Sequence, residues 1–194
     1  MKALKLLQSS VIALSLVSLA GCASKLALTD KNGEDLVGAD GVVTLVNLHP
    51  DMQKGPRLTA INWQLPALIP MCTEVKIIEA NEKVATIKDK STGVVYTYYY
   101  HKAAAEPFAT HLKRYFGKSC DQATVASLSK VDQEGIKSGT IKKGMSKQGV
   151  IFAAGYPPRH ATPSTSLNSW KYWKSRWDTM LITFEDDKVA RIVD

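Results

Sequence analysis

The stretch IKKGMSKQGVIFAAGYPP, residues 141–158, predicts a short helix with a marked beginning and a marked end. Ser146 belongs to the residue types that cap a helix N-terminus through a side-chain oxygen, and an apolar run follows it as far as Ala154. Gly155 supplies the left-handed conformation that often ends a helix, and the prolines at 157 and 158 prevent its continuation. We therefore expect a helix through Ala154 with an apolar inner face.

A second helix and three strands are predicted around this stretch. Ser129 through Lys137 is typical of a short helix that ends at Gly139. Strands are predicted at about 169–174, 179–185 and 189–193, and the aspartates at 186 and 187 suit a tight turn between the last two. The order of helix, helix and three-stranded antiparallel sheet predicts an α+β unit over residues 121–194, with its helices on one sheet face.

Residues 41–120 predict a second unit, made of short strands. The runs TEVKIIEA, KVATIKDK and VVYTYYYHK alternate side chains as a half-buried sheet does, and two shorter β-type runs precede them at 41–48 and 58–63. This spacing indicates a small antiparallel sheet curled into a barrel, and the pattern resembles bacterial SH3-like domains. A helix is expected next, with Pro107 in its first turn and Gly117 at its end, and then a linker over 118–126.

The first 21 residues have the composition of a secretory signal. Lys2 and Lys5 precede an apolar run that is interrupted by serine and too short for a spanning helix. The residues Leu19-Ala20-Gly21-Cys22 resemble a bacterial lipobox, which implies cleavage before Cys22 and acylation of that cysteine. Residues 22–40 are polar and turn-rich, so they predict a lipidated tether. Because alanine rather than aspartate follows Cys22, the resemblance implies anchoring to the outer membrane on the periplasmic side.

The charge of the chain narrows the range of partners. The sequence has 25 Lys and Arg against 18 Asp and Glu, a net charge of +7, and two of the lysines lie in the predicted signal. Nucleic acid is excluded as a partner in the periplasm, whereas anionic lipid, lipopolysaccharide, peptidoglycan and acidic protein surfaces remain. Residues 135–177 contain eight lysines and arginines and no aspartate or glutamate, which suggests a one-sided positive field.

Two further cysteines, Cys72 and Cys120, would lie in an oxidising compartment after export. A disulfide between them and a pair of buried free thiols are both compatible with the sequence.

Three segments in the last third of the chain resemble the SmpA/OmlA domain of BamE-type outer-membrane lipoproteins. They are IKKGMSKQGVIFAAGYPP, the tryptophan-rich strand and LITFEDDKVARIV, which together fall within about residues 128–194. The most specific parts are Gly144-Met145-Ser146 and Gly155-Tyr156-Pro157. Gly149 departs from the family pattern, in which an acidic residue at that place often completes a capping box.

The resemblance implies a part in bracing the machinery that inserts β-barrels into the outer membrane. The same combination of helices and sheet also resembles proteins that inhibit β-lactamases, so the shape alone does not select a role.

No group of residues in the sequence indicates catalysis or a metal site. The four histidines, at 49, 101, 111 and 160, are scattered and lack the spacing of zinc ligands. The sequence also has no nucleophile elbow, phosphate-cradling loop or nucleotide fingerprint. We therefore expect a protein that is not an enzyme and that needs no cofactor.

The stretch NSWKYWKSRW, residues 168–177, is the strongest candidate for a binding surface. Strand alternation places Trp170 and Tyr172 on one face and Trp173 on the other, so the helices can cover only one of these faces. Trp173 is then either covered by a loop or the neighbouring unit, or part of a docking patch for an acidic protein or a lipid head group. The expected partner-binding residues are Trp173, Lys174, Arg176, Trp177 and Tyr156.

These observations predict a non-catalytic outer-membrane lipoprotein that acts as an envelope scaffold or accessory factor, with a protein of the envelope, such as the barrel-assembly machinery, as its partner. Two alternatives stay open. One is a module that binds cell-wall peptide or glycan through Tyr98, Tyr99 and Trp63, and the other is an inhibitor of a periplasmic hydrolase.

Overall fold

A computed structural model describes residues 25–194, and the predicted signal and Cys22 lie outside these residues. The described chain has a mixed α+β fold with a curled six-stranded sheet, a three-stranded antiparallel sheet and four α-helices. None of the helices in this part of the chain is long and apolar enough to cross a membrane.

The larger sheet is built from the first half of the described chain. Its strands are β1 (Val42–Thr44), β2 (Arg57–Thr59), β3 (Glu74–Ala80), β4 (Val84–Asp89), β5 (Val95–Tyr99) and β6 (Phe116–Gly117), in the spatial order β2-β5-β4-β3-β1-β6. Side chains alternate in β3 to β5, since Ile77, Ile87 and Tyr96 stand side by side on the buried face. In β4 this face carries Ala85 and Ile87, and not Val84 and Thr86 as the sequence pattern suggested. The predicted antiparallel sheet is wrong at one pair: β2 runs parallel to β5. A hairpin forces neighbours to be antiparallel, but β2 reaches β5 through a long connection.

The smaller sheet is the predicted meander, with strands β7 (Ser169–Trp173), β8 (Thr179–Glu185) and β9 (Lys188–Val193). Asp186 and Asp187 both have positive φ, at 49° and 58°, which a two-residue hairpin turn requires. The helices α3 (Lys130–Ser138) and α4 (Lys147–Ala154) precede this sheet, and α4 shares a buried core with Trp170 and Tyr172 of β7. The expected helix-helix-sheet order of the C-terminal part is therefore observed.

The carboxylate of Asp132 in α3 takes the part of the acidic side chain that would complete a capping box at position 149, where this chain has Gly149. Its Oδ1 accepts hydrogen bonds from the N–H of Ser146 at 2.7 Å and from the hydroxyl of Ser146 at 3.1 Å, so α3 caps α4. A Cβ on Gly149 would collide with this carboxylate. The glycine is thus needed for the close approach of the two helices.

Two boundaries in the middle of the chain differ from the prediction. Helix α1 (Phe108–Tyr115) ends because Phe116 is extended, at φ −134° and ψ 143°, and not because Gly117 turns left-handed. Both residues enter β6 and pair with β1, where the ladder gives their backbone groups partners. The expected linker over 118–126 contains helix α2 (Gln122–Ser127), whose N-terminus is capped by the carboxylate of Asp121.

The described part of the expected tether, residues 25–40, is packed against the larger sheet. Leu28 and Leu36 are buried in the core, and the N–H of Gly38 donates to the carbonyl of Ile77 at 2.7 Å. This edge of β3 is open because the short strand β1 pairs only with Glu74 and Val75. Residues 25–40 of the predicted lipidated tether are therefore packed on the fold.

The predicted boundary at residue 120 does not separate two cores. Buried residues of both sheets belong to one continuous cluster. The amide of Asn62 donates to the carbonyl of Ala154 at 2.8 Å, and the amide of Asn47 donates to the carbonyl of Ala153 at 3.2 Å. Nε2 of His49 lies 3.2 Å from the same Ala153 carbonyl. Side chains of the first half thus satisfy the open carbonyls at the end of α4.

Candidate functional site

The turn that follows β7 holds one tryptophan out in solvent. The side chain of Trp177 is 85% exposed, and the guanidinium carbon of Arg176 lies 4.8 Å from the centre of its ring. The hydroxyl of Ser175 accepts hydrogen bonds from the N–H groups of Trp177 and Asp178, at 3.3 and 3.1 Å. A large apolar ring held out by an ordered turn leaves apolar area that a partner can bury.

The other aromatic of the predicted patch has a different environment. Trp173 is partly buried, and its ring centre lies 4.8 Å from that of His160 in the loop that precedes β7. Nζ of Lys171 lies 5.3 Å from the same ring centre. Of the two alternatives left open by the sequence, cover by a loop is the one observed for Trp173.

Lys174 does not offer a free charge, because its Nζ lies 2.7 Å from Oδ2 of Asp194. Lys174 and Ser175 line a groove of about 350 Å³. Met52, which is 48% exposed, and Lys54 line the same groove. Arg176 and Trp177 follow Ser175 directly in the chain, so their turn begins at this groove.

Trp63 also lines this groove. Its indole N–H is buried, and within residues 25–194 it has no hydrogen-bond acceptor. A buried donor without a partner costs free energy. We refer to the groove with Met52, Lys54 and Trp63 in its lining, together with Arg176 and Trp177 on the adjoining turn, as the docking groove.

The fifth predicted residue, Tyr156, lies in another place. Its ring packs against Tyr115 at a centre distance of 5.9 Å, and the guanidinium carbon of Arg114 lies 4.2 Å from its centre. It lines a separate cleft with Arg114 and Arg159. The turn with Arg176 and Trp177 therefore adjoins, through Ser175, a groove that the sequence did not indicate, and Tyr156 lies outside that groove.

The aromatic surface expected for cell-wall binding is not formed. Tyr98 is fully buried, and its neighbour Tyr99 points to the opposite face of β5. Trp63 belongs to the docking groove. A ligand cannot contact these three rings together.

A buried polar cluster, absent from the sequence predictions, connects β5 with α1. The hydroxyl of Tyr98 lies 2.7 Å from Nε2 of His111, and Nδ1 of His111 lies 3.3 Å from Oε1 of Glu106. A proton on Nδ1 lets the ring donate to Glu106 and accept from Tyr98. Nη2 of Arg114 donates to the same Oε1. Glu106 is the residue of the sequence that could have indicated this cluster. It stands just before the apolar start of a helix, and a buried carboxylate needs a positively charged partner.

Burial acts in opposite directions on the pKa values of Glu106 and His111. Burial alone would raise the pKa of Glu106, but the hydrogen bond from His111 and the charge of Arg114 outweigh it, and the pKa lies below its ordinary value. Burial lowers the pKa of His111 in spite of its hydrogen bond to Glu106. Near neutral pH the cluster thus contains a carboxylate and an uncharged imidazole.

The order tyrosine, histidine, carboxylate resembles a proton relay, but it is closed to substrates. Tyr98 and His111 are buried, and the space beside Glu106, His111 and Arg114 cannot hold a water molecule. The cluster fixes α1 against the sheet. Among the described residues, no group of three or more histidine, cysteine or acidic side chains is arranged to hold a metal ion.

Cys72 and Cys120 are joined by a disulfide, with their Cα atoms 5.3 Å apart. The bond ties the chain just before β3 to the chain just after β6, across 48 residues. Of the two alternatives that the sequence left open, the structure has the bonded pair.

Comparison of the chain with protein-family models, with curated proteins and with solved structures finds no match.

Proposed function

We propose that this chain is a non-catalytic lipoprotein of the outer membrane that acts as an envelope scaffold or accessory factor. The observation that carries the proposal is the exposed Trp177, stacked with Arg176 on an ordered turn beside a groove with an unpartnered indole N–H. Such a combination suits the binding of another protein, because aromatic and arginine side chains dominate protein interfaces. In this proposal the acyl chains on Cys22 keep the docking groove at the membrane.

The partner that fits best is an acidic, extended segment of an envelope protein. Lys54 and Arg176 have no acidic side chain within ion-pair distance in the described part of the chain, whereas Lys174 is paired with Asp194. Asp51 also lines the groove, but its carboxylate is paired with Arg57, so Lys54 and Arg176 remain as positive charges without an acidic partner among the described residues. Acidic side chains of the segment would meet Lys54 and Arg176, and an apolar side chain would cover Trp177.

The C-terminal part adds support through its arrangement. Two helices precede a three-stranded antiparallel meander, which is the order that the SmpA/OmlA resemblance implies. In this proposal that part is BamE-like, the larger curled sheet is an SH3-like addition, and the barrel-assembly machinery is one envelope partner of suitable chemistry.

The docking proposal is tested with a photo-crosslinking amino acid at position 177 in intact envelopes. The matched control carries it at Ile78, which is also an exposed apolar residue but lies on β3. We expect one specific adduct at 177, weakened by salt and by Arg176→Glu, because the attraction is partly electrostatic. Equal labelling at both positions, or an adduct indifferent to salt and to charge reversal, would contradict the proposal.

The anchor is tested separately by labelling cells with palmitate. The wild-type chain should carry the label and Cys22→Ser should not. An intact amino terminus without acyl mass in the wild-type chain would refute the anchor while leaving the docking groove to its own test.

A further inference from the structure

A second site lies in the cleft that contains Tyr156. This cleft has a volume of about 230 Å³ and is bordered by the end of α1, the chain that follows α4, and the loop before β7. Its lining is rich in groups that bind anions: Arg114, Arg159, Thr162, Ser164 and Thr165. Neither the docking groove nor the proposed membrane anchor involves these residues.

The two arginines share one carboxylate. Arg114 donates to Oε1 of Glu106, and Nη1 of Arg159 lies 3.6 Å from Oε2 of the same residue. The side chain of Glu106 is only 2% exposed, so it is a fixed counter-ion beneath the cleft. With His111 uncharged, two positive charges face one negative charge, and a net positive charge remains at the cleft.

Most of the donors on Arg159 are unused. Its side chain is 47% exposed, and within residues 25–194 it makes no hydrogen bond. A guanidinium has five N–H donors in a fork that matches an oxyanion, so Arg159 keeps donors that face solvent and are available to a ligand. Arg114 also has a buried Nε without an acceptor in this part of the chain.

The cleft is also ordered before any ligand arrives. The stacking of Arg114 on Tyr156 at 4.2 Å fixes one guanidinium, and the two prolines before Arg159 restrict the backbone that carries the other. The hydroxyl of Ser164 lies 2.7 Å from that of Ser166, which gives the loop its own internal support. Less side-chain entropy is therefore lost on binding than at a pair of free surface arginines.

We infer that this cleft binds a small oxyanion of the phosphate class between the guanidinium groups of Arg114 and Arg159. Charge-assisted, bidentate hydrogen bonds from arginine are the strongest that a protein offers to such a group. The same chemistry is presented by free inorganic phosphate and by the phosphomonoester head group of a lipid.

The test is calorimetric titration of the full-length chain with inorganic phosphate. Arg159→Gln should weaken binding about tenfold or more, because it removes hydrogen bonds to a charged ligand. Arg159→Lys should retain part of the affinity, since it keeps the charge and loses the fork. Arg191→Gln is the matched control, because it removes the same charge from an exposed position on β9 and should leave binding unchanged.

A second arm separates the two sources of phosphate. Vesicles of phosphatidylcholine with phosphatidic acid are compared with vesicles of phosphatidylcholine alone. Binding to the former that is lost in Arg159→Gln and kept in Arg191→Gln supports the site and assigns it to a lipid head group. Binding of inorganic phosphate with the same dependence on Arg159 assigns it to the free ion. Equal losses in both variants, or no binding in either arm, would overturn the inference, and the crosslinking at position 177 is unaffected by either result.

Discussion

The carboxylate of Asp132 accepts two hydrogen bonds from Ser146, one from its N–H and one from its hydroxyl, so that a residue inside one helix caps the start of the next. Its other oxygen accepts from the hydroxyl of Ser129, which caps α3 itself. One buried side chain therefore orders the N-termini of both C-terminal helices.

Asp132→Ala should lower the free energy of unfolding by about 2–4 kcal/mol, because it removes the acceptor that holds Ser129 and Ser146 at the starts of two helices. Denaturant unfolding of the purified chain measures the loss. Asp121→Ala is the control, since Asp121 caps only α2, which has no buried residues. A loss of about 1 kcal/mol or less is expected there. Equal losses in the two variants would refute the special role of Asp132.

Gly149→Ala should destabilise the chain although alanine favours a helix by about 1 kcal/mol. The added Cβ collides with the carboxylate of Asp132, and the helices must separate. The double variant with Asp132→Ala tests this cause, because removal of the carboxylate also removes the collision. We expect the two substitutions to couple by about 1 kcal/mol or more in a double-mutant cycle. Additive losses would show that the glycine is needed for another reason.

Trp177→Ala should leave the free energy of unfolding within about 0.5 kcal/mol of the wild type, because the ring is almost free of contacts with the fold. The same change at Trp170 should cost about 3–5 kcal/mol, because that ring is fully buried and packs against Phe184. Both values come from chemical denaturation. A large loss at Trp177 would mean that this ring supports the fold and is not available to a partner.

The stability of the chain should fall as the pH is lowered below about 6.5, the ordinary value for histidine. Because the pKa of His111 is lower in the folded chain, the unfolded chain binds a proton in this range that the folded chain does not. The loss continues until the pH reaches the folded pKa of His111. His101 acts in the same direction, since burial lowers its pKa as well.

Urea unfolding at a series of pH values from about 7.5 to about 5.5 measures this slope. His111→Gln should flatten this slope. The comparison uses the slope, so a change in overall stability of the variant does not affect it. An unchanged slope in His111→Gln would contradict the burial of a neutral ring.

Loss of the disulfide should lower the free energy of unfolding by about 4 kcal/mol, the chain-entropy value for a closed loop of this length. The double variant Cys72→Ser and Cys120→Ser provides the measurement. A reducing agent should lower the melting temperature of the wild-type chain and leave that of the double variant unchanged. A wild-type chain indifferent to reduction would show that the bond adds little.

The sequence predicted those elements whose signals are local. The cap at Ser146, the turn at Asp186 and Asp187 and the alternation of β3 are all determined by residues within a few positions of each other. The other elements are determined by contacts between residues that are far apart in the sequence. Gly117 looked like a helix stop, but pairing of its strand with β1 took precedence over the left-handed turn.

For the candidate site, too, the sequence predicted what depends on neighbouring residues and missed what depends on distant ones. Exposure of Arg176 and Trp177 could be proposed from strand alternation and charge, whereas the groove beside them needs Met52 and Trp63, which are more than 100 residues away in the sequence. The pairing of Glu106 with Arg159 likewise joins distant segments. Leu28 and Leu36 gave no warning that the expected tether is packed, because two isolated leucines among polar residues form no periodic pattern.

The end of α4 also has a consequence for the order in which the chain matures. The residues Asn47, His49 and Asn62 precede Ala153 and Ala154, whose carbonyls they contact, by 92 to 106 positions in the chain. Until the final third of the polypeptide is in place, these three polar side chains are hydrogen-bonded to water, and the core around them cannot pack. The early and late halves should consequently melt together as one cooperative unit, and a fragment cut at residue 121 should not fold on its own.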